Sequence, residues 1–295
     1  MPESIIALKR VSAGYGKYPA QKSAEESLVI KDMSLDIAQG RSVCLLGPNG
    51  SGKTTLLRVI AGMLPAYGEV LVDGRNIKEL RRKEIASYIS FLSQMTHVYY
   101  SFSVFETVMH GRYVHGGSFF SASASKDREV VEETLESLDL QDLADRQITT
   151  LSGGQIQRVM LARCIAQGSP VMILDEPMNH LDLKIQAEFL EYLFRWREKP
   201  VRTDQGKQYD PTIIGVFHDI NIAAYIAEEI ALISDGRLLA FGEKKDILTE
   251  ELLKKAYDFD IAGYMKKYSL SGVFPTEVQP PADALSSRDH EGAMK

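Results

Sequence analysis

Residues 47–54 read GPNGSGKT, a glycine run that ends in a lysine followed by a hydroxyl residue. The spacing is G-x-x-x-x-G-K-[ST], with an apolar run before it and a helical pattern after it. Glycines let the backbone approach phosphate oxygens, Lys53 brings a charge to the outer phosphates, and Thr54 offers a hydroxyl to Mg²⁺. A second run, VMILDE at 171–176, sets Asp175 and Glu176 after four apolar residues. At the end of a strand adjacent to the first, Asp175 would hold Mg²⁺, and Glu176 would orient and polarise an attacking water. Gln94 and His218 close two further strand-like runs, YISFLSQ and TIIGVFH. Ligands collect at the carboxyl ends of parallel strands, so one γ-phosphate could meet Lys53, Gln94, Glu176 and His218. The chain carries another glycine run, LSGGQIQR at 151–158, which heads a helical pattern. There Ser152 suits a helix cap, and Ser152, Gly153 and Gly154 would aim helix-end N–H groups at an anion.

These residues need a scaffold that brings strand ends together. RSVCLLG at 41–47, VMILDE and TIIGVFH are short apolar runs without alternation, the pattern of strands covered on both faces. Strand and helix patterns alternate around them, which predicts a mostly parallel sheet with helices on its faces. Residues 5–15 and 27–38 alternate enough to be half-buried strands and suggest an antiparallel edge layer. From about 96 to 168 the pattern is helical, as in an α-helical subdomain inserted into the α/β domain. IALISDG and RLLAFGE form a hairpin pattern around Asp235 and Gly236, followed by a helix at EELLKKAY. The expected organisation is one domain over 1–264 and a flexible tail over 265–295.

Composition narrows the classes. Of 295 residues, 44% are hydrophobic and 25% charged, as in an ordinary globular protein. The net charge of -6 argues against broad nucleic-acid binding, which needs clustered cations. Cys44 and Cys164 fall in apolar patterns and read as small buried residues of a reduced compartment. The start, MPESIIALKR, has no basic segment followed by an apolar stretch, and no run reaches the ~18 apolar residues of a membrane span. A cytosolic protein is expected, one that is held at a membrane only by something else.

Taken together, GPNGSGKTT, Gln94, LSGGQ, VMILDEP, NHLD at 179–182 and His218, in this order, resemble the nucleotide-binding subunit of ATP-binding cassette (ABC) transporters. The match covers roughly residues 5–262. The resemblance implies a P-loop NTPase of the RecA-like kind, binding ATP and Mg²⁺. It implies that Gly47, Pro48, Asn49, Gly50, Ser51, Gly52, Lys53, Thr54 and Thr55 hold the phosphates and that Tyr15 stacks on adenine, with Tyr18 as a competitor. Gln94 is expected to touch Mg²⁺ beside Thr54 and Asp175, and His218 to hold the γ-phosphate. Two copies would dimerise head to tail, Ser152, Gly153, Gly154 and Gln155 completing the neighbour's ATP site and Asp182 crossing to it. The family's partners are integral-membrane permease subunits and, indirectly, an extracytoplasmic substrate-binding protein, which puts the chain on the cytoplasmic face of the membrane with no nucleic acid involved.

Several details, FSVFETVMHGRY, NHLD and FHDINIAAYIAEEIALISDGRLLAFG, resemble the iron-siderophore, haem and cobalamin importer branch. Metal-ion and oxyanion importers share much of the pattern. Cassette ATPases of ribosomes or DNA are the alternative of another class, disfavoured by a single cassette and the absence of paired cysteines. Aromatics Tyr99, Tyr100 and Phe102 suit a groove for a permease helix, and the link at 197–211 is longer than usual for the family.

Overall fold

The computed structural model describes residues 3–15, 28–93, 101–115, 124–203 and 206–268. Gln94, Tyr18, Tyr99, Tyr100 and the tail after residue 268 lie outside the described residues.

Two sheets form the frame. The first is antiparallel, ordered β2 (Leu28–Ala38), β1 (Ser4–Gly14), β4 (Tyr67–Val72) and β5 (Arg75–Asn76), and it is the expected edge layer. β2 alternates buried and exposed positions over most of its length, as a strand with one inward face does, whereas β1 is buried continuously over 5–8. The second has the order β12 (Arg237–Glu243), β11 (Glu229–Ser234), β3 (Ser42–Leu46), β10 (Thr212–Val216), β7 (Val171–Asp175) and β6 (Ile89–Ser93). β11, β3, β10, β7 and β6 run parallel, and β12 pairs antiparallel at the edge. β3, β7 and β10 are buried at every position, as their unbroken apolar sequences require. Cys44 and Cys164 are both buried and unpaired, and burial pushes the Cys164 thiol up to about 11.

One expectation is corrected here. β7 is not hydrogen-bonded to β3; β10 lies between them. A run of buried apolar residues fixes that a strand is central but carries no information about its neighbour, which depends on which helix crosses over.

Helix α1 (Lys53–Ile60) follows β3, and α2 (Arg82–Tyr88) precedes β6. The middle of the chain is helical, with α3 (Val104–Met109), α4 (Ala124–Ser137) and α5 (Gly153–Ala166). α3 and α4 pack against α5 through Val104, Val108, Val131, Leu135 and Val159. Then follow α6 (Leu183–Arg197), α7 (Ile220–Ile226), α8 (Lys244–Ile247), α9 (Glu250–Tyr257) and α10 (Ile261–Tyr268), so helical backbone continues past residue 264. The link at 197–211 contains a two-stranded hairpin, β8 (Val201–Arg202) with β9 (Gln208–Tyr209). Tyr209 buries its ring there, and its hydroxyl donates to Asp73 at 2.8 Å, alongside Tyr88 at 3.3 Å and Lys207 at 2.7 Å. No helix among the described residues is long and apolar enough to cross a membrane.

Candidate nucleotide site

β3 ends at a loop that is glycine where the fold leaves no alternative. Gly47 has φ 149°, and a Cβ there would stand 1.9 Å from the Ile233 carbonyl oxygen. Gly52, the residue before α1, has φ 100°, and its Cβ would meet Ile30 at 2.8 Å. Both positions exclude side chains for two separate reasons, handedness and space. Between them Ser51 N–H donates to the Pro48 carbonyl, closing the turn at 3.2 Å, and Pro48, Asn49 and Gly50 form its crest. Lys53 Nζ donates to the carbonyls of Gly47 and Pro48, both at 2.8 Å.

Thr54 Oγ1 donates to Asp175 Oδ1 at 2.8 Å, so the helix start and the end of β7 meet although a strand separates β7 from β3. Burial pulls the Lys53 pKa down, against the nearby Glu176 and Asp175 charges. Burial likewise pushes Asp175 up, with the Thr54 hydrogen bond opposing and Glu176 adding to the rise. Each charged form is therefore held short of its hydration, and a ligand pairing an anion with Lys53 and a cation with Asp175 would offset that cost.

Glu176 lies just past β7 with φ 53°, a left-handed conformation unusual for a residue with a side chain. Its N–H donates to the Val216 carbonyl at 3.0 Å, tying it to the end of β10. Its Oε2 accepts from Asn179 Nδ2 at 2.7 Å and lies 2.9 Å from His218 Nε2. The position of β10 between β3 and β7 explains why His218 reaches this carboxylate. Strain of this kind concentrates where a side chain must be aimed.

Tyr15 follows β1 and stands over the first turns of α1. Its hydroxyl is 3.3 Å from Thr55 Oγ1 and accepts from Arg58 Nη1 at 3.2 Å, while the residue stays 58% exposed. Thr55 is buried, and its hydroxyl faces this tyrosine.

Ser152 caps α5: its Oγ accepts from Gln155 N–H at 3.3 Å, and Gln155 Oε1 accepts from Ser152 N–H at 3.0 Å. Such reciprocal capping satisfies two helix-end donors at once. Gly154 backs onto Ile185, whose methyl would lie 2.9 Å from a Cβ, but at Gly153 a Cβ would meet nothing within 4 Å. Asp182 caps α6 through Ile185 N–H at 3.0 Å, and the next residue, Leu183, is 83% exposed. A cleft of about 550 Å³ is lined by Lys53, His218, Asn221, Tyr257, Ile261 and Tyr264 among others, and neither the Ser152 region nor Asp182 lines it. The structure thus brings Lys53, Thr54, Asp175, Glu176 and His218 together and leaves Ser152, Gly153 and Asp182 outside that group.

Two contacts carry no sequence signature. Asn179 lies within the quoted NHLD run, but its bond to Glu176 depends on the turn after β7. Tyr257 Oη accepts from the Gly47 N–H at 3.0 Å across 210 residues, a separation at which no local pattern operates.

A glycine loop joining a buried parallel strand to a helix, with a lysine, a hydroxyl and a strand-end carboxylate pair, defines a P-loop NTPase. Residues 30–179 match the family model described as ABC transporter. The ferric enterobactin transport ATP-binding protein of Escherichia coli is 34% identical over 260 residues, 87% of this chain and 89% of that protein. The iron(3+)-hydroxamate import ATP-binding protein of Bacillus subtilis is 30% identical over 256 residues, 86% and 88% of the two chains. A metal-chelate type ABC transporter solved in an inward-facing conformation superposes with a TM-score of 0.69 at 28% identity, covering 87% of this chain and 90% of that one. The chain belongs to the ABC transporter family, as an ATP-binding subunit that hydrolyses ATP. The character of these relatives favours the importer reading over ribosome or DNA work.

Proposed function

We propose that this chain works as a head-to-tail homodimer that clamps two ATP molecules and drives uptake through separate integral-membrane permease subunits. It sits at the cytoplasmic face of the membrane, and an extracytoplasmic binding protein delivers the cargo. The observation that carries the reading is the convergence of Lys53, Thr54, Asp175, Glu176 and His218 on one strand-end cluster.

Thr54 and Asp175 supply adjacent hard oxygen donors 2.8 Å apart, a pair that fits Mg²⁺. Bound there, the ion would neutralise phosphate charge. Lys53 holds the outer phosphates after exchanging the loop carbonyls for phosphate oxygens. Glu176 accepts a proton from water as the water oxygen bonds to the γ-phosphorus and the bond to the β-phosphate bridge oxygen breaks. ADP and inorganic phosphate leave. His218, 2.9 Å from Glu176, orients that carboxylate and reaches the γ-phosphate. Asn179 holds the same carboxylate oxygen from the other turn. Gln94 and Tyr15 are assigned Mg²⁺ contact and adenine stacking.

Ser152, Gly153, Gly154 and Gln155 are the neighbour's phosphate contacts, with Asp182 beside them. The open space at Gly153 supports this, since the monomer fold gives no steric reason for glycine there. On the helical middle of the chain, Phe102 packs edge-on against His110 with Tyr113 beyond it, 62% exposed. This aromatic surface is the seat of the permease contact.

The cargo is an iron-siderophore chelate or a related haem or cobalamin compound, a reading supported by the iron-chelate relatives. Deleting the chain should abolish uptake of the cognate ferric siderophore, and the intact protein should co-purify with a multi-span membrane protein. Normal siderophore uptake with loss of zinc or molybdate uptake would move the assignment to a metal-ion or oxyanion importer. Co-purification with ribosomes would overturn the transport role.

A further inference from the structure

The first peptide of the phosphate loop is held from outside the loop. Gly47 N–H donates to the hydroxyl oxygen of Tyr257, the last residue of α9. The end of α9 is itself fixed near the same strand end, because Ser234 Oγ donates to the Ala256 carbonyl at 3.3 Å. β11 also supplies the Ile233 carbonyl that excludes any side chain from Gly47. Gly47 therefore has a donor engaged by Tyr257 and a carbonyl engaged by Lys53 Nζ at 2.8 Å. A glycine has the widest backbone freedom of any residue, so its orientation depends on such partners. α9 and α10 then wall the same cleft as Lys53 and His218, with Tyr257 and Ile261 in the lining.

We infer that Tyr257 is a positioning residue for ATP binding: its hydroxyl oxygen fixes the first backbone N–H of the phosphate loop, and with it the start of the loop that leads to the phosphate lysine. The inference rests on Lys53 being the phosphate lysine. A tyrosine that merely filled space between α9 and β3 would act through its ring alone, and phenylalanine would serve as well.

Tyr257→Phe keeps the ring and deletes the acceptor. The ATP dissociation constant should rise about tenfold, the size expected when one buried donor loses its partner. The turnover at saturating ATP should change by less than about threefold, since the loss falls on bound and reacting nucleotide alike. The thermal midpoint without nucleotide should fall only slightly, whereas Tyr257→Leu, which also deletes the ring, should lower it further. Lys53→Ala serves as the control on the site itself. If Lys53→Ala abolishes ATP binding while Tyr257→Phe binds ATP like the unaltered protein, the positioning role is overturned whatever happens to the melting temperature. If Lys53→Ala also binds normally, the site assignment fails instead.

Discussion

Glu176 is aimed by three independent contacts: its backbone bond to Val216, the Asn179 amide and the His218 imidazole. Glutamine at this position has the same shape, keeps an acceptor oxygen and cannot take a proton. Glu176→Gln should therefore lower phosphate release by about 10²–10⁴-fold, the range for a lost general base, while ATP binding survives. Steady-state phosphate release beside equilibrium nucleotide binding measures both; a variant with normal turnover would remove Glu176 from the role. Most of this site was legible in the sequence, because Lys53, Thr54, Asp175, Glu176 and His218 each carry a chemistry that fixes the residue type. Tyr257 and Asn179 were not. Their partners are set by how distant elements pack, and a tyrosine or asparagine has many ordinary uses.

At the scale of elements, alternation and unbroken apolar runs gave the antiparallel layer and the buried parallel strands, but not the order β3, β10, β7. The hairpin β8–β9 escaped for a similar reason: its anchor, Asp73, lies 136 residues from Tyr209. Burial alone would raise the Asp73 pKa, but hydrogen bonds from Lys207 and Tyr209, the Lys207 charge and the Tyr88 hydroxyl carry it below the usual carboxylate range. A depressed carboxylate contributes stability above its unfolded pKa of about 4, and that contribution is lost as pH falls through the folded value. Acid should thus loosen the hairpin, and neutral pH should leave it in place. Asp73→Asn should melt lower than the unaltered protein at pH 7, with the gap closing below about pH 4, as thermal melts across pH would register. In the helical middle, Arg112 pairs with Asp127 at 2.9 Å, both nearly inaccessible, and donates to the Ala166 carbonyl at the end of α5. Removing the cation leaves a buried charge without its partner. Arg112→Ala should cost about 3–5 kcal/mol in denaturant unfolding.

For the molecule as a whole, the unexplained feature is Gly153. It opens α5, faces empty space, and takes an ordinary backbone conformation, so nothing in one copy demands glycine. Replacement by aspartate separates the monomer's needs from the dimer's. A carboxylate in the first turn of a helix is favourable by about 0.3–1 kcal/mol, so Gly153→Asp should melt at or above the temperature of the unaltered protein. Monomer ATP affinity should stay the same, because the cleft around Lys53 does not include this residue. In a head-to-tail dimer, however, the same carboxylate faces the γ-phosphate of the neighbour's nucleotide, where like charges repel and a helix-end donor set is blocked. Turnover should then fall at least about 100-fold, as when an oxyanion contact is lost. In the unaltered protein the rate per chain should rise with protein concentration until the dimer saturates, and in the variant it should stay flat. A stable Gly153→Asp protein with full activity would mean that each copy hydrolyses ATP alone, and the shared site would have to be abandoned.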